Sequence, residues 1–307
     1  MTVRRSRYAL ILLGVVYLIV IFALLYDDTA KKTAIVVPHG EPRIELAYRN
    51  TGNLIMVPGH GVLGALSVSD WRNENNWGLE PHQLRDGVSL PLCFASHIRR
   101  GLQILKEDVN ASLLIFSGGQ TRDGSGPRSE GLSYYLVAEE TELFGLFDSV
   151  VERKYVLQNR IFAEEFARDS YENLLFSIAR FYEVTGRFPE RIIVVGWKHK
   201  EKRFSTYHRE AIRFPRSKFT YIGLNFEDAG VFVQNLEPYR KALPYSDAHA
   251  LALVTEDMYL CNSGKRTRAK RNPQFRVPPY ELSCPPLRPL LRYCGPYLID
   301  RKLVPWG

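Results

Sequence analysis

Short apolar runs alternate along the chain with segments of helical spacing, and this alternation is the strongest constraint on the fold. Residues 54–57, 113–116 and 192–195 are continuous aliphatic or aromatic runs, each followed closely by a glycine-containing turn. Runs without polar alternation are typical of parallel strands that are buried on both faces. The pattern predicts an α/β fold over residues 52–260, with a doubly wound, mostly parallel sheet of five strands.

The remaining elements follow from the same periodicities. Asp169 is the expected cap of a helix, and Glu172 is placed three residues later as in a capping box. Residues 62–87, with Trp71 and Trp77, are interpreted as a polar insertion. The other predicted strands are residues 155–162 and 219–224, and the predicted helices are residues 90–105, 129–143, 170–186, 201–214 and 247–259.

The N-terminus carries a membrane signal. Residues 8–26 contain no charge, and as a helix they span about 28 Å, close to the thickness of a bilayer core. We favour an uncleaved signal anchor over a cleaved signal peptide or a buried core helix. Arg4, Arg5 and Arg7 precede the run and favour a cytoplasmic N-terminus. The sequence thus predicts a single-pass type II membrane protein of the endoplasmic reticulum or Golgi, with residues 1–28 as anchor, 29–51 as linker and a lumenal domain beyond.

Composition excludes several classes. Of the 307 residues, 45% are apolar and 24% are charged, so the chain can build a core and is not intrinsically disordered. Its four cysteines form no CxxC pair, which argues against a zinc finger. The sequence also lacks the HExxH, GxSxG, Walker and GxGxxG motifs of common enzyme classes. The net charge of +8 is partly concentrated in one C-terminal run, so no nucleic-acid partner is expected.

Open α/β sheets bind ligands beyond the carboxyl ends of their strands, and here these ends suit an anion. Glycine turns let backbone N–H groups approach an anion, and the dipole of the following helix assists. Lysine and arginine side chains after the fourth strand add positive charge. We therefore expect a small anionic, phosphate-bearing or lipid-linked ligand. The binding candidates are Gly59, Ser117, Gly118, Gly119, Glu130, Ser170, Asn173, Lys198, Lys200 and Arg203.

Three other residues are candidates for catalysis. Glu164 ends the third strand and Asp169 stands at a helix start, where a carboxylate tends to stay ionised. Either suits a general base or a ligand of a divalent metal ion. His60 lies between two glycines and is a candidate acid or nucleophile. Structural interpretations stay open, because Asp169 is a helix cap in any case and Glu164 also fits a solvated loop acid.

The order of these motifs resembles the YdcF/SanA/ElyC-like family, known as domain of unknown function 218. The resemblance covers residues 53–225 and implies a Rossmann-like fold and often a membrane anchor; bacterial relatives are associated with cell-envelope processes. The chain looks like a eukaryotic, membrane-anchored branch, in which Lys200 stands where the family has histidine. The matching segments are Ser117-Gly118-Gly119, Ser129-Glu130-Gly131, Glu164, residues 167–173, Val195-Gly196 and Arg203.

Three functions remain open from the sequence. The first is a lumenal hydrolase or transferase acting on a phosphate-containing substrate, such as a lipid-linked glycan. The second is a non-catalytic binding module for a nucleotide-like ligand such as S-adenosylmethionine. The third is a structural partner protein whose crevice is vestigial. The cofactor is unknown, with a divalent metal ion and S-adenosylmethionine as the two considered, and the oligomeric state is open.

The C-terminal extension, residues 261–307, contains a basic run. Residues 265–276 hold six positive charges and no acid. A solvated loop, a protease site and a nuclear-localisation signal are alternatives, the last in conflict with the anchor. The remaining interpretation is electrostatic, with the run folding over the crevice or lying on a membrane. A disulfide between two of Cys261, Cys284 and Cys294 would pin its ends, and the pairing stays open.

Overall fold

The computed structural model describes residues 48–64, 67–83, 89–226, 228 and 248–307. The strands are β1 (Asn53–Pro58), β2 (Val62–Leu63), β3 (Trp77–Gly78), β4 (Ser112–Ser117), β5 (Ile161–Glu164), β6 (Arg191–Trp197) and β7 (Phe219–Leu224). The longer helices are α1 (Leu90–Glu107), α2 (Glu130–Glu140), α3 (Val150–Asn159) and α4 (Ser170–Thr185).

Shorter helical segments connect and follow these elements. A π-helix, Arg203–His208, runs directly into an α-helical turn, Arg209–Ala211. Residues 248–256 are helical, and the C-terminal extension adds the short α-helices Lys265–Lys270, Tyr280–Ser283 and Arg288–Leu291. The 3₁₀-helices are Val68–Asp70, Glu74–Asn76, Pro81–Gln83, Glu142–Gly145, Lys198–Lys200, Arg216–Lys218, Pro285–Leu287 and Arg301–Leu303.

The central sheet has five strands in the order β5-β4-β1-β6-β7, and all of its neighbouring pairs are parallel. β1 is the middle strand, with Val57 opposite Phe116 of β4 and Met56 opposite Val194 of β6. β2 and β3 form a separate antiparallel pair. The predicted α/β class and the five-stranded parallel sheet are confirmed.

Alternate residues of each strand serve different cores, because successive side chains point to opposite faces of a sheet. Leu54 and Met56 belong to a cluster that contains the buried face of α4 and the C-terminal extension. Ile55 and Val57 belong to a second cluster, which contains the buried faces of α1 and α2. Both faces of the sheet are therefore covered, which explains why these strands carry no polar alternation.

The connections diverge on either side of β1. From β1 the chain passes through α1 to β4, whereas from β5 it passes through α4 to β6 on the other side of β1. The helix after β1 is α1, and the helical segment after β6 is residues 203–211. Because these two lie in different core clusters, the loops after β1 and β6 separate at the carboxyl edge of the sheet. A crevice at this point is the usual ligand site of an open α/β sheet.

The predicted third strand at residues 155–162 is wrong in its first part. Residues 150–159 form α3, which Ser149 caps by accepting a hydrogen bond from the Glu152 amide, and only residues 161–164 form a strand. The alternation around Tyr155 and Val156 imitates a strand, but Val156 is the only residue of this helix that is fully buried. A local cap therefore overrides the apolar pattern.

The segment interpreted as a polar insertion, residues 62–87, contributes two buried tryptophans in the part that the structure describes. Trp71 and Trp77 are buried, and the Trp77 indole donates a hydrogen bond of 2.7 Å to the Trp71 carbonyl. Trp77 packs on Phe94 of α1, so this segment extends the second core cluster.

The predicted helix at residues 201–214 forms, but it ends at Ala211 and contains the π-helix. The predicted anchor at residues 8–26 lies outside the described residues, as does most of the linker. Within the described ranges, none of the helices combines the length and apolar character of a membrane span.

The C-terminal extension packs along the domain. A disulfide joins Cys261 to Cys294, whereas Cys284 is a buried free cysteine. Tyr280, Leu287 and Leu290 within this loop are buried in the first core cluster. The structure thus selects one of the three pairings that the sequence left open.

Candidate functional site

A cavity of about 760 Å³ lies at the carboxyl ends of β1 and β6. Its wall comes from the turns after these strands, from the start of α4 and from the C-terminal extension, which contributes Gly264, Thr267 and Arg271. The structure brings eight sequence-predicted candidates to this cavity. They are Gly59, His60, Glu130, Asp169, Ser170, Asn173, Lys200 and Arg203.

Five other candidates do not line the cavity. These residues are Ser117, Gly118, Gly119, Glu164 and Lys198. Each is engaged by other protein groups.

The glycine turn after β4 is committed to packing. The Gly118 amide donates to the Glu164 carbonyl at 3.0 Å, and the Gly119 amide donates to the Ala167 carbonyl at 2.7 Å. A Cβ on Gly118, whose φ is +152°, would lie 2.7 Å from the Glu130 Cβ, and a Cβ on Gly119 would lie 2.9 Å from the Ala167 carbonyl oxygen. The glycines are required for close approach between loops, so their amides do not provide the expected phosphate contacts.

Glu164 does not line the cavity and is fully buried. Its carboxylate accepts hydrogen bonds from the Ser117 hydroxyl at 2.7 Å, the Tyr280 hydroxyl at 2.9 Å, and the Phe166 and Ala167 amides at 2.7 and 3.3 Å. Burial raises its pKa to about 7, although the four donors favour the ionised form. This carboxyl holds the loop after β5 and the C-terminal extension together, which replaces the expected role as a base or metal ligand.

Lys198 and Lys200 point to different places although only one residue separates them. Lys198 is half-exposed and forms an ion pair with Glu201 at 2.7 Å. Lys200 lines the cavity, and its Nζ lies 3.3 Å from Nδ1 of His60. Of the two lysines, therefore, Lys200 is placed to contact a ligand.

His60 is almost completely buried at the cavity wall. Burial, followed by the charge of Lys200, lowers its pKa well below the ordinary value, so the ring is neutral at physiological pH. A lysine can only donate, so Nδ1 accepts from Lys200 and the proton of the neutral ring lies on Nε2. Nε2 has no hydrogen-bond partner among the described residues. His60 therefore offers a buried N–H donor, which disfavours the expected nucleophilic role.

Asp169 is a helix cap and also part of a buried ion pair. Its carboxylate accepts from the Glu172 amide at 2.8 Å and from Nε of Arg268 at 2.6 Å. Nε of Arg268 also lies 3.2 Å from the Glu172 carboxylate. Burial alone would raise the pKa of Asp169, but the charge and hydrogen bond of Arg268 hold it below its ordinary value. Asp169 is thus ionised and already paired, which weakens its case as a general base.

The capping box differs from its predicted form. The Glu172 carboxylate accepts from the backbone amide of Arg168 at 2.9 Å and from the Arg168 guanidinium, rather than from the Asp169 amide. Burial, and then the charge of Asp169, raise the pKa of Glu172. Two arginines therefore surround two neighbouring carboxylates at the start of α4.

Ser170 begins α4 beside the cavity. Its Oγ lies 2.8 Å from Nε2 of His208, which is fully buried on the π-helix. Asn173, one turn later, also lines the cavity, and its side-chain Oδ1 lies 2.9 Å from the Ser117 hydroxyl oxygen. The start of α4 thus presents a hydroxyl and the helix N-terminus to the same space.

Another part of the cavity wall, formed largely by residues that follow β4, contains charged side chains that pair with one another. Arg122 lies 3.4 Å from the Glu130 carboxylate and 3.5 Å from that of Glu80, and it donates to the His60 carbonyl at 3.2 Å. Lys270 of the C-terminal extension binds Glu80 at 3.0 Å. The carboxylates on this side are therefore balanced by cations that come from two separate parts of the chain.

Sequence reasoning missed two residues of the site, Arg122 and Tyr280. It considered His208 only as a substitute for the family's histidine at position 200, and Arg268 only as part of the basic run. The basic run gave a signal for Arg268, since folding over the crevice was one of its interpretations, but the sequence could not select its partner. Among the described residues, no group of three or more histidine, cysteine, aspartate or glutamate side chains is arranged to hold a metal ion.

Comparison with known proteins gives one relative. No protein-family model matches the chain, and no solved structure matches it. The sequence is similar to the uncharacterized protein YOR238W of Saccharomyces cerevisiae, with 31% identity over 261 residues. The alignment covers 74% of this chain and 86% of the yeast protein.

We predict that Arg268→Gln destabilises the fold, whereas Arg266→Gln does not. The first change leaves the Asp169 and Glu172 carboxylates buried without their shared cation, which should lower the free energy of unfolding by about 3–5 kcal/mol. Arg266 is exposed on the same short helix, so its change should stay within about 0.5 kcal/mol. Urea unfolding of the full chain measures both values. Equal stabilities of the two variants would contradict the assignment of Arg268.

A second prediction concerns the pH dependence that Glu164 imposes. Its pKa is about 7 in the folded chain and 4.5 without the protein environment, so the folded state holds this proton more tightly. The resulting stabilisation is present below pH 4.5 and is lost as the pH rises through 7. Relative to Glu164→Gln, the wild type should lose roughly 3 kcal/mol between pH 4 and pH 8. Urea unfolding at both pH values gives this difference, and a constant difference would show that the carboxyl is not perturbed.

Proposed function

The chain belongs to the same protein family as YOR238W, and we propose that it is an enzyme that binds a phosphate-bearing small molecule and hydrolyses or transfers its phosphoryl group. The observation that carries this proposal is the convergence of three features on one cavity. They are the N-terminus of α4, the side chains of Lys200 and Arg203, and the neutral ring of His60.

The N-terminus of α4 is the proposed phosphate subsite. The first amides of a helix have no acceptor within it, and the helix dipole favours negative charge there. The Asp169 side chain accepts a hydrogen bond from the Glu172 amide, and the Asp169 backbone carbonyl accepts one from the Asn173 amide. The amides of Ser170 and Tyr171 are then the ones placed to bind a phosphate oxygen.

The charge of Asp169 does not oppose this binding, because Arg268 neutralises it. The Asp169 carboxylate and the Arg268 guanidinium form a hydrogen-bonded ion pair with little exposure to solvent. Lys200 and Arg203 line the same cavity and supply the positive charge that a phosphate requires. His60 lines the same cavity with a neutral ring, which adds no negative charge near a phosphate.

A second candidate function is supported by the mixed charge of the wall. Glu80 and Glu130 line the same cavity as Lys200 and Arg203, and Trp197 provides apolar surface there. A ligand with both charges and an aromatic base, such as S-adenosylmethionine, fits this lining. A ligand of this kind that raises the unfolding midpoint and is recovered unchanged would favour a binding module over an enzyme.

We also propose the cellular setting that the sequence predicts. The domain would be a Rossmann-like, doubly wound member of the YdcF/SanA/ElyC type, anchored by residues 8–26 with the domain in the lumen of the endoplasmic reticulum or Golgi. The Cys261–Cys294 disulfide supports this setting, because such bonds persist in oxidising compartments. The strand order, with β1 between two diverging halves, supports the fold. A lipid-linked phosphate substrate suits this location.

The test compares Lys200→Gln with Lys198→Gln in the full chain purified in detergent. Isothermal titration with inorganic phosphate measures binding, and p-nitrophenyl phosphate measures phosphoryl transfer to water. We expect Lys200→Gln to weaken phosphate binding tenfold or more, equivalent to about 1.4 kcal/mol, and to slow hydrolysis. Lys198→Gln is the matched control, since Lys198 carries the same charge but faces Glu201 outside the cavity.

Two results would contradict the proposal. One is the absence of phosphate binding by the wild type, and the other is an equal loss in both lysine variants, which would indicate attraction by surface charge alone. Phosphate binding without any hydrolysis or transfer would reduce the proposal to a binding module.

A further inference from the structure

Ser170 and His208 form a hydroxyl–imidazole pair to which neither the sequence motifs nor the relative assigns a reaction. Ser170 lies at the cavity as the first residue of α4, and its Oγ is 2.8 Å from Nε2 of His208. This distance is within the range at which a base can take a hydroxyl proton. The two residues come from separate elements, 38 positions apart in the chain.

Packing holds the His208 ring in this position. The ring meets Tyr171 at 5.8 Å and Phe204 at 5.4 Å between centroids, in both cases edge to face. Its Nδ1 is buried and has no hydrogen-bond partner among the described residues. The contact with Ser170 is therefore the polar contact that orients the ring, and the tautomer with its proton on Nδ1 leaves Nε2 to accept from the hydroxyl.

Burial and the charges around His208 keep its ring neutral, so Nε2 has a lone pair for a hydrogen bond. Burial, and then the charge of Arg203, lower its pKa to about 3, while Asp169 acts in the opposite direction and Arg268 adds to the lowering. The ring is therefore neutral in the unliganded protein. A phosphate bound beside Arg203 would offset the positive charge and raise the pKa of His208, so the base becomes stronger when a substrate is present.

We propose that Ser170 is the nucleophile of the site and that His208 is its general base, an inference that rests on the phosphoryl chemistry proposed above. The Ser170 Oγ attacks phosphorus, its proton passes to Nε2 of His208, and the bond from phosphorus to the leaving oxygen breaks. The leaving oxygen takes the proton from His208. Water then attacks the phosphoserine and returns a proton through His208 to Ser170. The sum is phosphate ester plus water giving alcohol plus inorganic phosphate.

The surroundings of Ser170 suit this step. The amides at the start of α4 and the side chains of Lys200 and Arg203 face the same cavity and stabilise negative charge on the phosphoryl oxygens. The role also supplies the general base that the two candidate carboxylates do not provide. The Glu164 carboxyl is buried away from the cavity lining, and the Asp169 carboxylate is paired with Arg268. His208, in contrast, is a neutral base that lies 2.8 Å from a hydroxyl at the cavity.

Diisopropyl fluorophosphate tests the proposal without knowledge of the natural substrate. An activated serine attacks its phosphorus, fluoride leaves, and the serine keeps the diisopropyl phosphoryl group, which intact-mass measurement detects and peptide mapping locates. We expect the full chain in detergent to be modified once, at Ser170. Ser170→Ala should abolish the modification. His208→Gln should slow it at least a hundredfold, because a glutamine amide can keep the hydrogen bond but cannot take the proton.

Ser177→Ala and His97→Gln are the matched controls. Ser177 is a buried serine on the same helix, and His97 is a buried histidine without a hydrogen-bond partner among the described residues; neither lines the cavity. Both variants should react at the wild-type rate. Modification at another residue, no modification, or an unchanged rate in a folded His208→Gln variant would overturn the proposal.

Binding of inorganic phosphate separates this inference from the proposed function. Ser170→Ala keeps the helix amides, so it should bind phosphate with near wild-type affinity. If the wild type binds phosphate but does not react at Ser170, the nucleophilic role of Ser170 is refuted and the proposed phosphate site stands. If the wild type does not bind phosphate at all, the proposed function itself is refuted.

Discussion

The ion pair between Arg268 and Asp169 is the interaction on which the rest of the site depends. Asp169 caps α4, and an unpaired carboxylate there would repel an anion from the helix N-terminus. Arg268 removes this repulsion with a bond of 2.6 Å that spans 99 positions of sequence. The same segment lies inside the loop closed by the Cys261–Cys294 disulfide, and it also brings Lys270 to Glu80. The C-terminal extension is thus part of the site.

Much of the fold follows from local patterns in the sequence. Continuous apolar runs predicted three of the five strands of the sheet close to their observed bounds, and residues 219–224 were predicted as a fourth. The Asp169 cap predicted the start of α4. The two failures have different causes. At α3 the Ser149 cap overrides an apolar alternation around Val156. The burial of Trp71 and Trp77 was not predicted, because both lie in a polar stretch and the pairing of β2 with β3 is not visible in the sequence.

The sequence predicted where the site lies, but it did not predict the role of each residue there. The carboxyl ends of the strands gave eight residues that line the cavity. Roles depend on contacts between distant segments, which no local pattern contains. Glycine at positions 118 and 119 looks the same whether it serves a ligand or close packing, and only the Ala167 carbonyl and Glu130 side chain decide for packing. Glu164 likewise fits a general base or a metal ligand by sequence alone, and the hydrogen bond from Tyr280, 116 positions away, is not visible there.

The central claim is that the N-terminus of α4, with Lys200 and Arg203, forms an anion site. A crystal structure of the full chain with tungstate, a phosphate analogue with strong anomalous scattering, tests this claim most directly. The account predicts an anomalous peak within hydrogen-bond distance of the Ser170 or Tyr171 amide and close to Lys200 or Arg203, with the Arg268–Asp169 pair intact. A peak at the Gly118–Gly119 turn or on the exposed basic surface, with the cavity empty, would contradict it.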